Sequence, residues 1–455
     1  MIRQGSDKTG EIIVGGTGIL LLFAPLPYGS VHPWAYSLLQ LGVGGLLSFW
    51  MLVLLLHPEG LRYRSTPLDL PLLLFLCLCL FQLLPLPAPW ARALSPQAHD
   101  RYSAVLASSF HPLSLYPFAT IRQLFQIATY LGLFYLIAYH ADTAIRLRRL
   151  LLLLFLSGSF QALYGLYRHF SGQPILHPGR ASGTFINPNH FAGYLEVVIP
   201  LSLSLYLLLA RRQLSGLPWK QYLVALFDSR RSAPLALLLL GLAVMILAAI
   251  FSISRAGIVS LAAALMTFGL GSLYLRRRRR WAFRILLLCA VALLLGLWEG
   301  LGPVEERFLQ AGPSLLSRYQ IWPAVLEMIR DHPLFGTGLG TFGPVFLCYQ
   351  QEHPSFFFDH AHNDYLEILS EVGGIGFALL ALAGLLFLLR SLSGLARSSV
   401  REGQVIALGG ISGLVALSLH SLMDFNLAIP ANSLTLAAAL GITHRAVQLG
   451  KEERP

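Results

Sequence analysis

The sequence predicts an all-α polytopic membrane protein of about twelve transmembrane helices, organised as one integral membrane domain over residues 1–455. Three observations carry this expectation. Of the 455 residues, 55% are hydrophobic and only 12% charged, about half the charge of an ordinary soluble domain. Apolar runs of about 20 residues, the length that crosses a hydrocarbon core, recur along the chain. Arginines concentrate in alternate loops between those runs. So few charges cannot coat water-facing domains, and disorder would need low hydrophobicity with high net charge.

The runs lie near 12–28, 35–56, 68–87, 118–139, 147–168, 190–210, 234–253, 256–275, 283–300, 365–389, 404–421 and 429–446. The first is short and interrupted by Pro25 and Pro27. Met1 to Glu11 is polar, and no small-residue cleavage site follows it, so it reads as a retained start anchor. With the N-terminus in the cytoplasm, the inside loops hold Arg62 and Arg64, then Arg146, Arg148 and Arg149. They continue with Arg211, Arg212, Lys220, Arg230 and Arg231, with Arg276 to Arg280, and with Arg390, Arg397 and Arg401. Outside loops are poor in Lys and Arg, and the C-terminal tail falls inside. The expected protein therefore crosses a membrane many times, with both termini cytoplasmic.

Net charge is +11, from 33 Lys and Arg against 22 Asp and Glu. The longest basic run, Arg276 to Arg280, abuts an apolar span, which is the pattern of a cytoplasmic anchor and not of a nucleic-acid patch. Cys77, Cys79, Cys289 and Cys348 suggest neither a disulfide framework nor zinc, since three of them sit in apolar runs.

Two outer segments, 88–117 and 301–364, exceed simple turns and should carry structure of their own. In the larger, Ser314 to Asp331 has helical apolar spacing and predicts a helix along the membrane surface. Gly336, Gly338 and Gly340 resemble a nucleotide loop, but no strand precedes them; glycine-permitted tight turns are expected instead.

Charged residues near membrane depth are expensive and so informative. Arg255 sits at the tip of a short outer hairpin, Arg318 on the surface helix with Trp322 one turn later, and Arg122 at the outer end of a span. Arg180 precedes Asn187-Pro188-Asn189-His190 in an outer loop. Each could be an interfacial anchor, yet several outward guanidinium groups around one cavity would suit a phosphate or pyrophosphate. The densest polar cluster runs from Asp359 to Glu367, with His360, His362, Asn363 and Asp364. Asn363 or Asp364 can cap the following helix, and Asp364 and Glu367 have capping-box-like spacing. A cap leaves two histidines unexplained; one could take a proton from a hydroxyl, with a carboxylate setting its tautomer. A metal held by His360, His362 and Asp364 is disfavoured because helix onset at Asp364 breaks the alternation. Further on, His420 and Asp424 would share a helix face if that helix continued far enough.

These residues resemble the O-antigen ligase and O-antigen polymerase superfamily of bacterial envelope glycosyltransferases. Ligases of that family carry His, then Asn, Ser or Gln, nine residues, then Gly-x-x-Gly; here His362-Asn363 precedes nine residues and Gly373-Gly374-Ile375-Gly376. Arg255 matches the Arg-x-x-x-Leu feature except that Val259 replaces the leucine. Thr184 to Gly193, Ser317 to Trp322 and His420 to Asn426 are also similar. The resemblance implies a GT-C-like fold and metal-independent, cofactor-free transfer of a glycan from undecaprenyl pyrophosphate, in one inverting step at the periplasmic face. The acceptor would be lipid A-core sugar for a ligase, or the sugar end of a second lipid-linked glycan for a polymerase. It implies His362 as general base and Arg255 and Arg318 as holders of the donor pyrophosphate. Arg122, Arg180, Asn363, Asp364 and His420 are further candidates for the substrate pocket. Two other activities would also use such an outward face: transport of a lipid-linked glycan, and O-linked glycan transfer to protein within the same superfamily. Transport would more often show internal repeats and paired broken helices, which the sequence does not suggest.

Overall fold

In a computed structural model, residues 2–57, 64–106, 108–173, 176–214, 232–275, 311–350, 357–398 and 400–449 are described, with side chains except those of 2–7, 211–214 and 311–319. The expected span 283–300, the Arg276 to Arg280 run and Cys289 lie outside these residues, as does the side chain of Arg318. The described residues form fifteen helices and one two-stranded bridge.

Among the described residues, eight helices are long and apolar enough to cross a membrane. They are α2 (Pro33–Leu56), α6 (Pro117–His140), α7 (Ala144–Phe170), α8 (Pro188–Leu214), α9 (Ala233–Phe251), α10 (Arg255–Tyr274), α13 (Asp364–Arg397) and α14 (Arg401–His420). Of the other four expected spans, 283–300 lies outside the described residues, and three differ from a full apolar crossing for identifiable reasons. α1 (Ile2–Phe23) starts well before the apolar run and spends its first turns on Arg3, Gln4, Asp7 and Lys8. It ends ahead of Pro25, where the chain turns through Tyr28 and Ser30, both at positive φ. α3 (Asp69–Phe81) has only 13 residues, about 20 Å of helix against a core of about 30 Å. α15 (Pro430–Gln448) is Ala-rich and carries Asn432, Ser433, Thr435, Thr443, His444 and Arg445, and it is buried along nearly its whole length, so it has little need of apolar side chains towards lipid.

α8 is the central helix, packed on α7, α9, α10, α14 and α15. Small residues let the backbones close up. Gly409 and Gly413 of α14 lie on Pro200 and Val197 of α8, while Gly403 and Gly410 lie on Ala446 and Thr443 of α15. Ser204 Oγ donates to the Pro200 carbonyl in its own helix (3.1 Å) and to that of Val405 (2.8 Å).

Successive long helices alternate in direction, which gathers the N-termini of α6, α8, α10, α13 and α15 at one end with the C-termini of α7, α9 and α14. Bonds between distant segments tie that end together: Ala181 N–H to Phe251 O (2.8 Å), Asn432 Nδ2 to His190 O (3.0 Å) and Asp364 N–H to Ser421 O (3.0 Å). The opposite end carries the ion pairs Arg146–Asp142 (2.6 Å), Arg146–Glu11 (3.1 Å) and Arg148–Glu402, together with fully buried Arg445.

The two long segments expected to lie outside the membrane both have internal structure. The first holds α4 (Ala88–Leu94), α5 (Pro96–Val105) and the bridge between β1 (Leu86–Pro87) and β2 (Phe110–His111), none of which the apolar pattern indicates. The second holds α11 (Ala311–Asp331), over the stretch whose spacing predicts a helix, and α12 (Phe342–Phe346). Ile321, Val325 and Met328 of α11 pack on Phe342, Val345 and Phe346, making a small second core above the bundle.

Candidate active site

The polar cluster sits where α13 begins. Asn363 is the cap residue: its Oδ1 accepts the N–H groups of Tyr365 (3.0 Å) and Leu366 (3.1 Å), and its Nδ2 donates to Leu422 O (3.0 Å). Asp364 is buried, and its Oδ2 accepts from Leu427 N–H (3.1 Å). These bonds tie both residues into the fold instead of directing them at an open surface. Glu367 does not complete a capping box. Its Oε1 meets His360 Nδ1 (2.8 Å) and its Oε2 accepts Ala361 N–H (2.8 Å). Ala361 O in turn accepts Trp322 Nε1–H (3.1 Å) from α11. Between these anchors His362 adopts φ +52°, a left-handed conformation that costs a non-glycine residue free energy and persists only where its surroundings impose it.

His362 faces a carboxylate. Its Nδ1 lies 3.6 Å from Oδ1 of Asp424, whose side chain is almost wholly buried while the imidazole is 28% exposed. The same oxygen accepts Phe425 N–H (3.0 Å) and lies 3.7 Å from His190 Nε2. The other oxygen accepts from Asn189 Nδ2 (2.6 Å), and Asn189 Oδ1 accepts from Arg180 (2.7 Å). Arg180 Nε also donates to Ser252 O (2.7 Å), in the turn just before Arg255. Arg180 thus ties the start of α8, at Asn189, to the α9–α10 hairpin, an arrangement that reaches Asp424 and so His362. Asp424, Asn189, His190 and Phe425 were not among the candidate site residues. The sequence drew attention to Asp424 only as a partner for His420 and to Asn189 and His190 only as neighbours of Arg180, and Phe425 stood out only within the His420–Asn426 stretch.

Arg255 is the first residue of α10, half-buried, behind the cap Ser254, whose Oγ accepts Gly257 N–H (3.2 Å). Arg318 is one turn before Trp322 on α11, so its backbone belongs to the element that packs on Ala361. Arg122 is exposed on α6, beside Gln123, against which Gly340 packs. Among the described residues no hydrogen bond joins it to the histidine cluster. His420 departs from expectation. α14 stops at His420, so no helical face links it to Asp424. Its Nδ1 meets Oε1 of Glu196 on α8 (2.9 Å), both side chains being fully buried, so it opens on no substrate surface.

A break in α13 shapes the floor. Gly373 has φ +64° and ψ −175°, a combination essentially confined to glycine. The carbonyls released there are taken up by the glycine loop: Thr337 N–H donates to Ser370 O (3.0 Å) and Gly338 N–H to Glu371 O (2.9 Å). In return Gly374 N–H donates to Pro333 O (2.8 Å) and Ile375 N–H to Leu334 O (3.2 Å). The Glu371 carboxylate accepts Gly340 N–H (2.8 Å) and Phe342 N–H (3.0 Å). Gly336, Gly338 and Gly340 all have positive φ, as tight turns require. The Gly-x-x-Gly half of the motif is therefore a docking point for the loop at 333–340, further along α13 than the half that presents His362.

Burial disfavours charge on His360, but the Glu367 carboxylate, helped by Asp359 and Glu371, outweighs it and pushes the imidazole up to about 9. Raised above the ordinary value of 6.5, this group stabilises the fold fully below about pH 6.5 and loses that contribution as pH rises through about 9. The contribution is on the order of 3 kcal/mol. Thermal stability of the protein should fall across that window, and His360→Gln should flatten the dependence. A pH profile identical in the two proteins would refute it.

The site thus holds an accessible imidazole backed by a buried carboxylate, beside a hairpin that begins a helix with arginine. Such a group can accept a proton from a hydroxyl while the carboxylate stabilises the imidazolium. Residues 240–381 match the family model described as O-antigen ligase, which supports the O-antigen ligase and polymerase superfamily and a glycan-transferring membrane enzyme. The matched region contains Arg255, Arg318, His362 and Gly373 to Gly376, whereas Asp424, His190 and Arg180 lie beyond it. No curated protein matches the chain.

Proposed function

We propose that this chain, carrying an O-antigen ligase domain, transfers a glycan from an undecaprenyl-pyrophosphate donor to a sugar hydroxyl at the periplasmic face of a bacterial inner membrane. The observation that carries the reading is His362, held left-handed at the mouth with Nδ1 towards buried Asp424. His362 takes the acceptor's proton on Nε2; the hydroxyl oxygen attacks the anomeric carbon; the bond from that carbon to the pyrophosphate oxygen breaks with inversion. Pyrophosphate is already an activated leaving group, so no nucleotide is required. Charge developing on it is met by Arg255 and Arg318, each well-placed donor contributing about 3 kcal/mol. Arg180 acts through the hairpin and Asn189, and Arg122 lies at the rim. The fold is read as GT-C-like, with residues 301–364 as the large periplasmic loop over the donor site. Both termini are cytoplasmic, which the arginine-rich end opposite His362 supports.

The test is incubation of purified protein with lipid-linked glycan and either lipid A-core or a second lipid-linked glycan, scoring which product grows. Retention of the donor's anomeric configuration would refute single-step displacement. Arg255→Lys and Arg318→Lys should each weaken donor binding about tenfold, because an ammonium cannot reproduce the bidentate guanidinium–phosphate pair. Full activity of both lysine variants would make these arginines membrane anchors instead.

A further inference from the structure

Phe425 carries no polar side-chain atom, yet it sits among three imidazoles. His360 lies flat on its ring, with centroids 4.2 Å apart and planes at 14°. His190 meets it at 4.5 Å and 72°, and His362 at 5.0 Å and 65°. Its own N–H binds the Asp424 oxygen that faces His362 and His190.

The chain on either side of His362 is gripped by other groups. Glu367 holds His360 and Ala361, Trp322 holds Ala361, and Leu422 O holds Asn363. The His362 imidazole has a looser hold. Its Nδ1 is buried without a hydrogen bond, and at 3.6 Å from Asp424 a small rotation makes or breaks that contact. The groups it meets include Asp424 and the Phe425 ring, on which His190 and His360 also rest. Among these the Phe425 ring is the rigid surface against which the imidazole can rest.

We infer that Phe425 is a positioning residue, holding the His362 imidazole against Asp424 and so aiming its other nitrogen outward. The inference rests on the proposed role of His362 as base. A displacement of about 1 Å at a reacting group can cost about 100-fold. Phe425→Leu should therefore lower kcat about 10- to 100-fold and leave KM for the lipid-linked donor within about twofold. Phe425→Tyr keeps the ring and should recover most of the rate.

A second readout does not depend on glycan transfer. In detergent-solubilised protein, carbethoxylation of His362 by diethyl pyrocarbonate, followed by peptide mass spectrometry, should be several-fold faster in Phe425→Leu than in wild type or Phe425→Tyr. Exposed His32 should react equally in all three. Unchanged His362 labelling, an equal rise at buried His420, or equal damage from leucine and tyrosine would each overturn the inference. If labelling behaves as expected but wild-type protein transfers no glycan, the positioning role stands and the proposed reaction fails.

Discussion

His362→Ala should reduce glycan transfer by roughly 10²–10⁴-fold, the contribution of a well-placed general base, while binding of the lipid-linked donor stays near wild type. The separation follows from the site. In the proposed reaction the donor phosphates would be met by guanidinium groups on other elements, whereas His362, partly exposed and with its Nδ1 towards Asp424, would meet the incoming hydroxyl. Asp424→Asn is the companion. It keeps the shape and can still accept from Asn189, but it removes the negative charge that stabilises the imidazolium. Its loss should be smaller, about 10- to 100-fold, and should appear in kcat. Single-turnover transfer assays, with donor binding measured separately, check both. A His362→Ala enzyme of normal rate would remove His362 from the reaction.

Gly373→Ala should be the most damaging conservative change for stability, lowering it by about 3 kcal/mol or more. Two causes add. The backbone occupies a region almost closed to residues with a Cβ, and an added Cβ would fall on the Leu334 carbonyl. Relief requires pulling the glycine loop from the break, which gives up its bonds to Ser370 O and Glu371 O. Gly374→Ala is the control: this neighbour is helical, and its nearest obstacle is Pro333 O at 3.3 Å, so the cost should be near 1 kcal/mol. Thermal unfolding in detergent compares the pair. Equal midpoints would show that the break does not depend on Gly373.

The parts legible in the sequence are those encoded within a turn or two of helix. Apolar runs marked eleven helices among the described residues, because a helix facing lipid must be apolar over its whole length. Asn363 as cap and the glycine turns followed from local hydrogen bonding and φ. Errors came where apolar character arose from something other than spanning. Leu83 to Pro87 extends the third run, but α3 ends at Phe81, and Gln82 turns instead to bind Phe335 O (2.6 Å) and Glu371 O (3.0 Å). His420 and Asp424 looked like a pair at helical spacing, and the end of α14 separates them.

By itself, then, the sequence determined a many-helix membrane protein with its chemistry-bearing residues at loop ends, and its resemblance to the O-antigen ligases drew attention to His362. The tertiary structure alone decided which groups meet. His420 pairs with Glu196, 224 residues away, and Asp424 is held by Asn189, 235 residues away, before it can face His362. The reason is physical. Hydropathy and capping act over one or two turns of chain. The pairing of distant side chains depends on which helices pack, and here that is settled by small residues on α14 drawing α8 and α15 together.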